Sequence, residues 1–449
     1  MVGGGACGFA AAIAAHDEGC ETAILEKLAR VGGNSALSTA SVPGAGTRFQ
    51  RAAGIEDSPD RMFTDLMAQS GPHDCPELTR LLAETSASLI EWLADRVEAR
   101  IGLITEYRHV GHSVPRLHAP RSRRGQDLVD DLVAAAHRRQ IPVAEGNPVS
   151  RLLTDDHGAV IGAAVKDAGG KESLLRARKV VLATNGFAAN RDLVREFCPE
   201  VAKAEYFGAL GSTGEAILWG RALGADIANS GAYQGYAAMA YPQGSLLSWT
   251  TIEKGGILVG ADGRRFGDES IGYSGYTRSV MAQGEFAFAV FDERVRRVAD
   301  QEEEFRELVE HRGVKRGGTI KELAAAFDLD AEVLAETIEG YNRAARGETR
   351  DRFGRRNCGL APLVAPFFIA RVKPGLLHTQ GGLRVDSGAR VLRPDGTPVR
   401  NLFAGGGAAA GVSGRTGCAG YSSGNGLLAA LGLGRLAGVS SAQEIRDGR

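Results

Sequence analysis

The sequence is poor in three things that would narrow its role: patterned cysteine, net charge and long apolar runs. Its six cysteines (7, 20, 75, 198, 358 and 418) form no CxxC pair and no Cys/His cluster. Structural zinc, iron–sulfur clusters and c-type haem attachment therefore lack ligands, and no metal is expected. Thiols scattered in this way suit a reducing cytoplasm. No apolar stretch reaches the ~18 residues of a membrane span, and no charged-then-apolar leader is visible, although a misplaced start would hide one. The 53 basic and 54 acidic residues leave a net charge of −1, which gives no electrostatic reason to expect nucleic acid or an anionic membrane as partner. The one local basic excess, Arg116–Arg124, reads either as a solvated loop or as a contact to a bound phosphate.

Glycine is plentiful, 61 of 449 residues, as expected where a backbone passes close to a ligand in several places. Gly3, Gly5 and Gly8 have the G-x-G-x-x-G spacing of a strand-to-helix turn. The first makes the tight turn, the second lets a pyrophosphate approach, and the third lets the helix pack on the sheet. A helix over Phe9–Glu18 follows, its N-terminal dipole aimed at the diphosphate. Thr22–Leu25 reads as the next strand. Glu26 closes it, 18 residues after Gly8, where a carboxylate accepts hydrogen bonds from a ribose diol. Only Met1 and Val2 precede Gly3, so the buried first strand such a fold needs reads as truncated, with unpaired neighbours.

Further along, Gly32–Gly46 reads as a loop over the cofactor. Helical spacing marks Pro59–Gln69, Cys75–Arg100 and Gln126–Arg139. Strands are expected at Ile141–Val143, Val160–Val165 and Lys179–Ala183, then a helix at Thr213–Leu223. Composition shifts towards Tyr, Gly and Ser after about residue 230. The expected division is 1–235, an inserted segment 236–375 with helices at Glu302–Glu310, Ile320–Phe327 and Ala331–Arg343, and a return at 376–449 with its helix Leu427–Leu436.

Taken in order, Gly3–Gly8 with Glu26, Gly32–Ser35, Ala183–Gly186, Gly256–Glu269, His378–Gly382, and Leu402–Gly407 with Gly424–Asn425 resemble the fumarate reductase/succinate dehydrogenase flavoprotein superfamily. The resemblance implies an α/β fold (α+β overall), a Rossmann-like FAD-binding domain interrupted by an α+β capping domain, with substrate held between them against the flavin. It also implies cofactor contacts from Gly3, Gly5, Ala6, Cys7, Gly8, Glu26, Lys27, Gly33, Asn34, Ser35 and Val149, and from Ala183, Thr184, Asn185, Gly406, Gly407, Asn425, Gly426 and Leu427. Gly407 stands where many members have Glu, so one contact is expected to be missing. No His lies within Gly32–Gly46, where members with covalent flavin carry one, so the expected FAD is non-covalent.

The substrate positions depart from the fumarate type. Tyr273 stands four residues after Glu269, where fumarate reductases place an Arg, and Tyr421 stands where they have a second Arg. Tyr236 and Trp249 align loosely with a His and a Glu; only His378 remains. Such a pocket suits a neutral ketone better than a dicarboxylate. Glu269-Ser270-Ile271-Gly272-Tyr273 is similar to the 3-ketosteroid and cyclic-ketone dehydrogenases, which implies α,β-desaturation. Tyr273 would then be the base, while Tyr421 with the Gly424 N–H would polarise the carbonyl. His378 or Arg278 would lower the Tyr273 pKa, and an external electron acceptor is required. The alternatives are an enone or enoate reductase fed by an external donor, and a flavin-binding protein with lost catalysis.

Overall fold

A computed structural model describes residues 1–105, 109–167 and 169–448. The chain separates into two units: Met1–Ala202, Gly208–Gln234 and His378–Arg449 form the first, and Lys203–Phe207 with Gly235–Leu377 the second. The sequence placed the divisions at 235/236 and 375/376 and gave no sign that Lys203–Phe207 joins the second unit.

The first unit is built on a narrow, mostly parallel sheet. Ile24–Leu25 pairs with Val143–Ala144, and Val180–Leu182 with Pro398–Ala404, which pairs antiparallel with Arg390–Leu392. Met1–Gly3 lies between these two parallel pairs: Val2 bridges Leu25 on one side and Leu182 on the other. The amides of Leu25 and Ala183 donate to Met1 O and Val2 O at 2.9 and 2.8 Å. The expected loss of pairing at the short first strand is thus absent; three residues satisfy both neighbours.

The helix Ala6–Asp17 starts three residues before the predicted Phe9, and Ala6–Ala15 are buried throughout. An all-apolar helix of this kind must be enclosed on every side. Its largest partner is the C-terminal helix Asn425–Arg446, which extends beyond the predicted Leu436. Small residues let the backbones approach: a side chain at Gly434 would meet the Cys7 backbone, and one at Gly438 the Ala11 carbonyl. Helices Pro59–Ser70, Pro76–Trp92 and Gly125–Arg138 complete this core. Within Gly32–Gly46 the expected loop contains a short helix, Gly33–Ala36, and a strand, Val42–Pro43.

The second unit holds a mostly antiparallel sheet. Ala287–Asp292 pairs with Ile257–Val259 and with the long strand Phe367–Thr379, whose other side takes Val314–Gly317. Alternation along Ala287–Asp292 divides its side chains between two apolar clusters, Ala289 and Phe291 in one, Phe288 and Val290 in the other. Helices Glu303–Glu310, Ile320–Ala325 and Ala331–Ala345 lie close to their predicted spans.

Candidate active site

Gly3 has φ +111°, and a side chain there would strike the Ala183 carbonyl; one at Gly8 would strike Gly3 O. Both glycines are demanded by the protein's own packing. Gly5 is different. Its φ and ψ of −89° and −174° suit any residue, and a Cβ would meet nothing nearer than Gly32 O at 3.6 Å. The protein leaves open space there, at the N-terminus of a helix with no side-chain cap, as required where a diphosphate approaches backbone N–H groups.

Glu26 is buried, and its Oε2 and Oε1 accept from the amides of Gly4 and Leu28, both at 2.8 Å. These bonds fix the carboxylate and leave it further lone pairs for a diol. Some predicted contacts are already engaged within the first unit. Lys27 pairs with Glu215 and donates to Thr213 Oγ1. Asn34 Oδ1 accepts from Ala209 N at 2.6 Å, and Ser35 Oγ from Ala6 N at 3.2 Å. Val149 opens a strand, Val149–Thr154, and packs on the main core.

At the other end, the C-terminal helix begins at Asn425 with no side-chain cap on Gly424. The N–H groups of Gly426 and Leu427 have no intrahelical acceptor. Among the described residues, Asn425 Oδ1 and Ser422 Oγ at this turn, and Thr184 Oγ1 beyond the strand Val180–Leu182, are buried polar atoms without a partner. Orphaned groups of this kind call for a ligand, so with Gly5 they make the donor set fit a dinucleotide. Gly407 has a compensating partner: a side chain there would collide with Asn185 Oδ1. Asn185, at φ +63°, thus fills the space vacated at 407, and its Nδ2 donates to Ser212 Oγ at 2.8 Å. The 407 position is therefore occupied from the opposite loop.

His378 lies against the first turn of the C-terminal helix, since a Cβ on Gly426 would sit 3.4 Å from its Nε2. The Tyr421 ring meets it edge-on at 6.0 Å between centroids. Burial pushes the imidazole down to about 4, only partly opposed by the Thr379 carbonyl. Burial thus favours the neutral imidazole, which leaves His378 a hydrogen-bonding rather than a cationic neighbour. The turn carrying Tyr421 and Gly424 is tied to its own unit by His112. Arg116, a donor only, stands 3.1 Å from His112 Nδ1, so Nε2–H donates to Ser423 O at 2.8 Å. Arg116 itself is fully buried in ion pairs with Asp57 and Asp65, which removes it from both readings of the Arg-rich stretch.

In the second unit Tyr273 packs against Tyr236 at 5.3 Å and Trp249 at 6.4 Å. The Tyr236 hydroxyl donates to Leu247 O at 2.9 Å. Arg265 and Glu269 form a buried network with Asp351 and Arg355, two charges of each sign, which anchors the loop leading to Tyr273. Sequence reasoning missed Gln380 and Ser413, which connect His378 to Asn425; only the position of Gln380 inside the His378–Gly382 motif marked it.

Residues 1–423 match the family described as FAD binding domain. The chain is 31% identical over 453 residues to the NADH:fumarate oxidoreductase of Klebsiella pneumoniae (strain 342), covering 99% of this chain and 48% of that protein. It thus spans about half the length of that relative. Its fold is similar to the open conformation of a flavocytochrome c3 fumarate reductase (TM-score 0.84, 28% identity, 98% of this chain and 77% of that one). It is also similar to the 3-ketosteroid-Δ4-(5α)-dehydrogenase of Rhodococcus jostii RHA1 (TM-score 0.77, 28% identity, 98% and 95%). The glycine cradle, the fixed Glu26 carboxylate and the two helix N-termini agree with this match, and the chain belongs to the FAD-binding family that these flavoenzymes share.

Proposed function

We propose that the protein is a non-covalent FAD enzyme that desaturates a ketone or keto-acid α,β to its carbonyl. The observation that carries the reading is the character of the predicted substrate residues: Tyr273, Tyr421, Tyr236 and Trp249 cannot carry positive charge, and burial works against it on His378. Two substrate carboxylates would need cations; a carbonyl needs only hydrogen-bond donors. Bound FAD would supply the two-electron acceptor for hydride. Tyr421 O–H and the Gly424 N–H would stabilise the enolate-like oxygen, and Tyr273 would take the α-proton. Gly424, at φ +83°, turns the chain into the helix whose dipole favours negative charge.

Anaerobic mixing with a panel of saturated cyclic ketones and keto-acids should bleach the flavin bands. Tyr273→Phe should slow bleaching by ~10²–10⁴-fold, the span of a general base, with the bound-flavin spectrum unchanged. Near-normal turnover in that variant would end the assignment of the base. Acid precipitation should release the flavin into the supernatant; colour retained in the pellet would refute non-covalent binding.

A second reading, reduction of an enone or enoate by an external donor, is supported by the fumarate-reducing names of the Klebsiella relative and the flavocytochrome. Dithionite-reduced protein that is reoxidised by an enone or fumarate, together with no bleaching by any saturated ketone, would select it.

A further inference from the structure

Three buried polar residues of the first unit and the half-buried His378 form one continuous line. Asn425 Nδ2 donates to Ser413 Oγ at 3.1 Å. Ser413 Oγ–H, its acceptor role taken, donates to Gln380 Oε1 at 2.9 Å. With its oxygen held in this way, the Gln380 amide presents Nε2 to His378, 3.0 Å from Nδ1 and 3.3 Å from Nε2. Asn425, Ser413 and Gln380 are each at most 5% exposed, so water does not compete for the bonds among these three. The main chain of Gln380 is fixed as well: its N donates to Ala232 O at 2.8 Å, and its O accepts from Gly411 N at 2.7 Å.

We propose that Gln380 is a positioning residue that holds His378 neutral, its amide oriented by Ser413 and Asn425 so that a donor, never an acceptor, faces the imidazole. A neutral imidazole has a lone pair and a ring face that accept an N–H; an imidazolium has neither and would meet the amide donor with like polarity. One ring N–H remains for Thr379 O, 3.2 Å from Nδ1. Among the described residues, two further groups against His378 are uncharged: the edge-on Tyr421 ring and the Gly426 backbone from the C-terminal helix. That helix presents its positive end, which opposes protonation in the same sense. If Ser413 lost its hydroxyl, the amide could turn and offer Oε1 to the ring, and the preference would reverse.

The inference deepens the proposed function, since a neutral His378 offers a hydrogen bond to a carbonyl but no charge to a carboxylate. Its test does not depend on turnover. The ring nitrogens of His378 are followed by ¹⁵N NMR in the FAD-loaded protein from pH 5 to 9, assigned with a His378→Gln control. In the unaltered protein His378 should stay neutral throughout. Gln380→Glu replaces the donor by an anionic acceptor and should bring His378 protonation into the range, a rise of two or more pH units; Ser413→Ala should raise it less, in the same direction. A His378 that stays neutral to pH 5 in both variants, or that is already protonated at pH 6 in the unaltered protein, would overturn the proposal. If the NMR shifts appear as stated while no ketone is turned over, the relay stands and the substrate reading fails.

Discussion

Substituting Gly5 and Gly8 separately should split cofactor binding from folding. At Gly5 the backbone already has the extended conformation of an L-residue, and the nearest atom to an added Cβ is 3.6 Å away. Gly5→Ala removes unfolded-state freedom, a gain of about 0.4–1 kcal/mol. Alanine is a poorer N-cap than glycine by a similar amount, so the two effects offset and apo stability should change by less than ~1 kcal/mol. The methyl would project into the space left for the diphosphate. Overpacking a fitted group costs ~1–3 kcal/mol, or roughly 5- to 150-fold in FAD dissociation constant at ~1.4 kcal/mol per decade. Gly8→Ala drives its methyl into the Gly3 carbonyl, and the cost falls on the fold, at least ~3 kcal/mol. Flavin-fluorescence titration of apo protein and its thermal unfolding read the two quantities independently. If Gly5→Ala binds FAD normally, the cofactor does not pass over this turn. If Gly8→Ala unfolds at the wild-type temperature, the close approach to Gly3 is not required.

His112 and His118 are each pushed by burial down to about 4, below the ordinary value of 6.5. Their folded-state values are depressed, so the unfolded chain binds more protons. Stability is full above pH ~6.5 and is lost as pH falls through 4, by up to ~3 kcal/mol per group; urea unfolding that is unchanged between pH 7 and 4.5 would contradict this. At the other end of the cofactor site, Gly407→Ala alone should destabilise through its collision with Asn185 Oδ1. Adding Asn185→Gly should recover part of the loss, a coupling of ~0.5–3 kcal/mol in a double-mutant cycle. Strict additivity of the two changes would show that the side chains do not share this space.

How much of this was legible in the sequence depends on how far apart the cooperating residues lie. The opening turn and Glu26 fall within one short βαβ stretch, and their spacing alone announced a dinucleotide site. Arg116 did not read correctly because its carboxylates come from Asp57 and Asp65, more than fifty residues away; in the sequence it is one of several arginines. Gly407 read as a missing contact, and only proximity shows that Asn185 lies against it. The start of the first helix was misjudged by three residues because Ala6, Cys7 and Gly8 belong at once to the glycine motif and to the first helical turn. Gln380 looked like a filler between His378 and two glycines, since its role rests on a hydroxyl at Ser413.

The close contact between the first and last helices also acts as a gauge. Gly434 meets Cys7 and Ala10, and Gly438 meets Ala11 and Ala14, so the two helices run in the same direction with a constant offset. Gly434 lies nine residues past Asn425 and faces Cys7, one residue past Ala6, which at 1.5 Å per residue offsets the two N-termini by roughly 12 Å. Both ends carry partial positive charge, and neither can slide without forcing side chains into backbone. A molecule that uses both must carry its phosphate and its electron-accepting ring at that separation. A stripe of glycine and alanine would thus set the reach required of a ligand that uses both ends, without touching it.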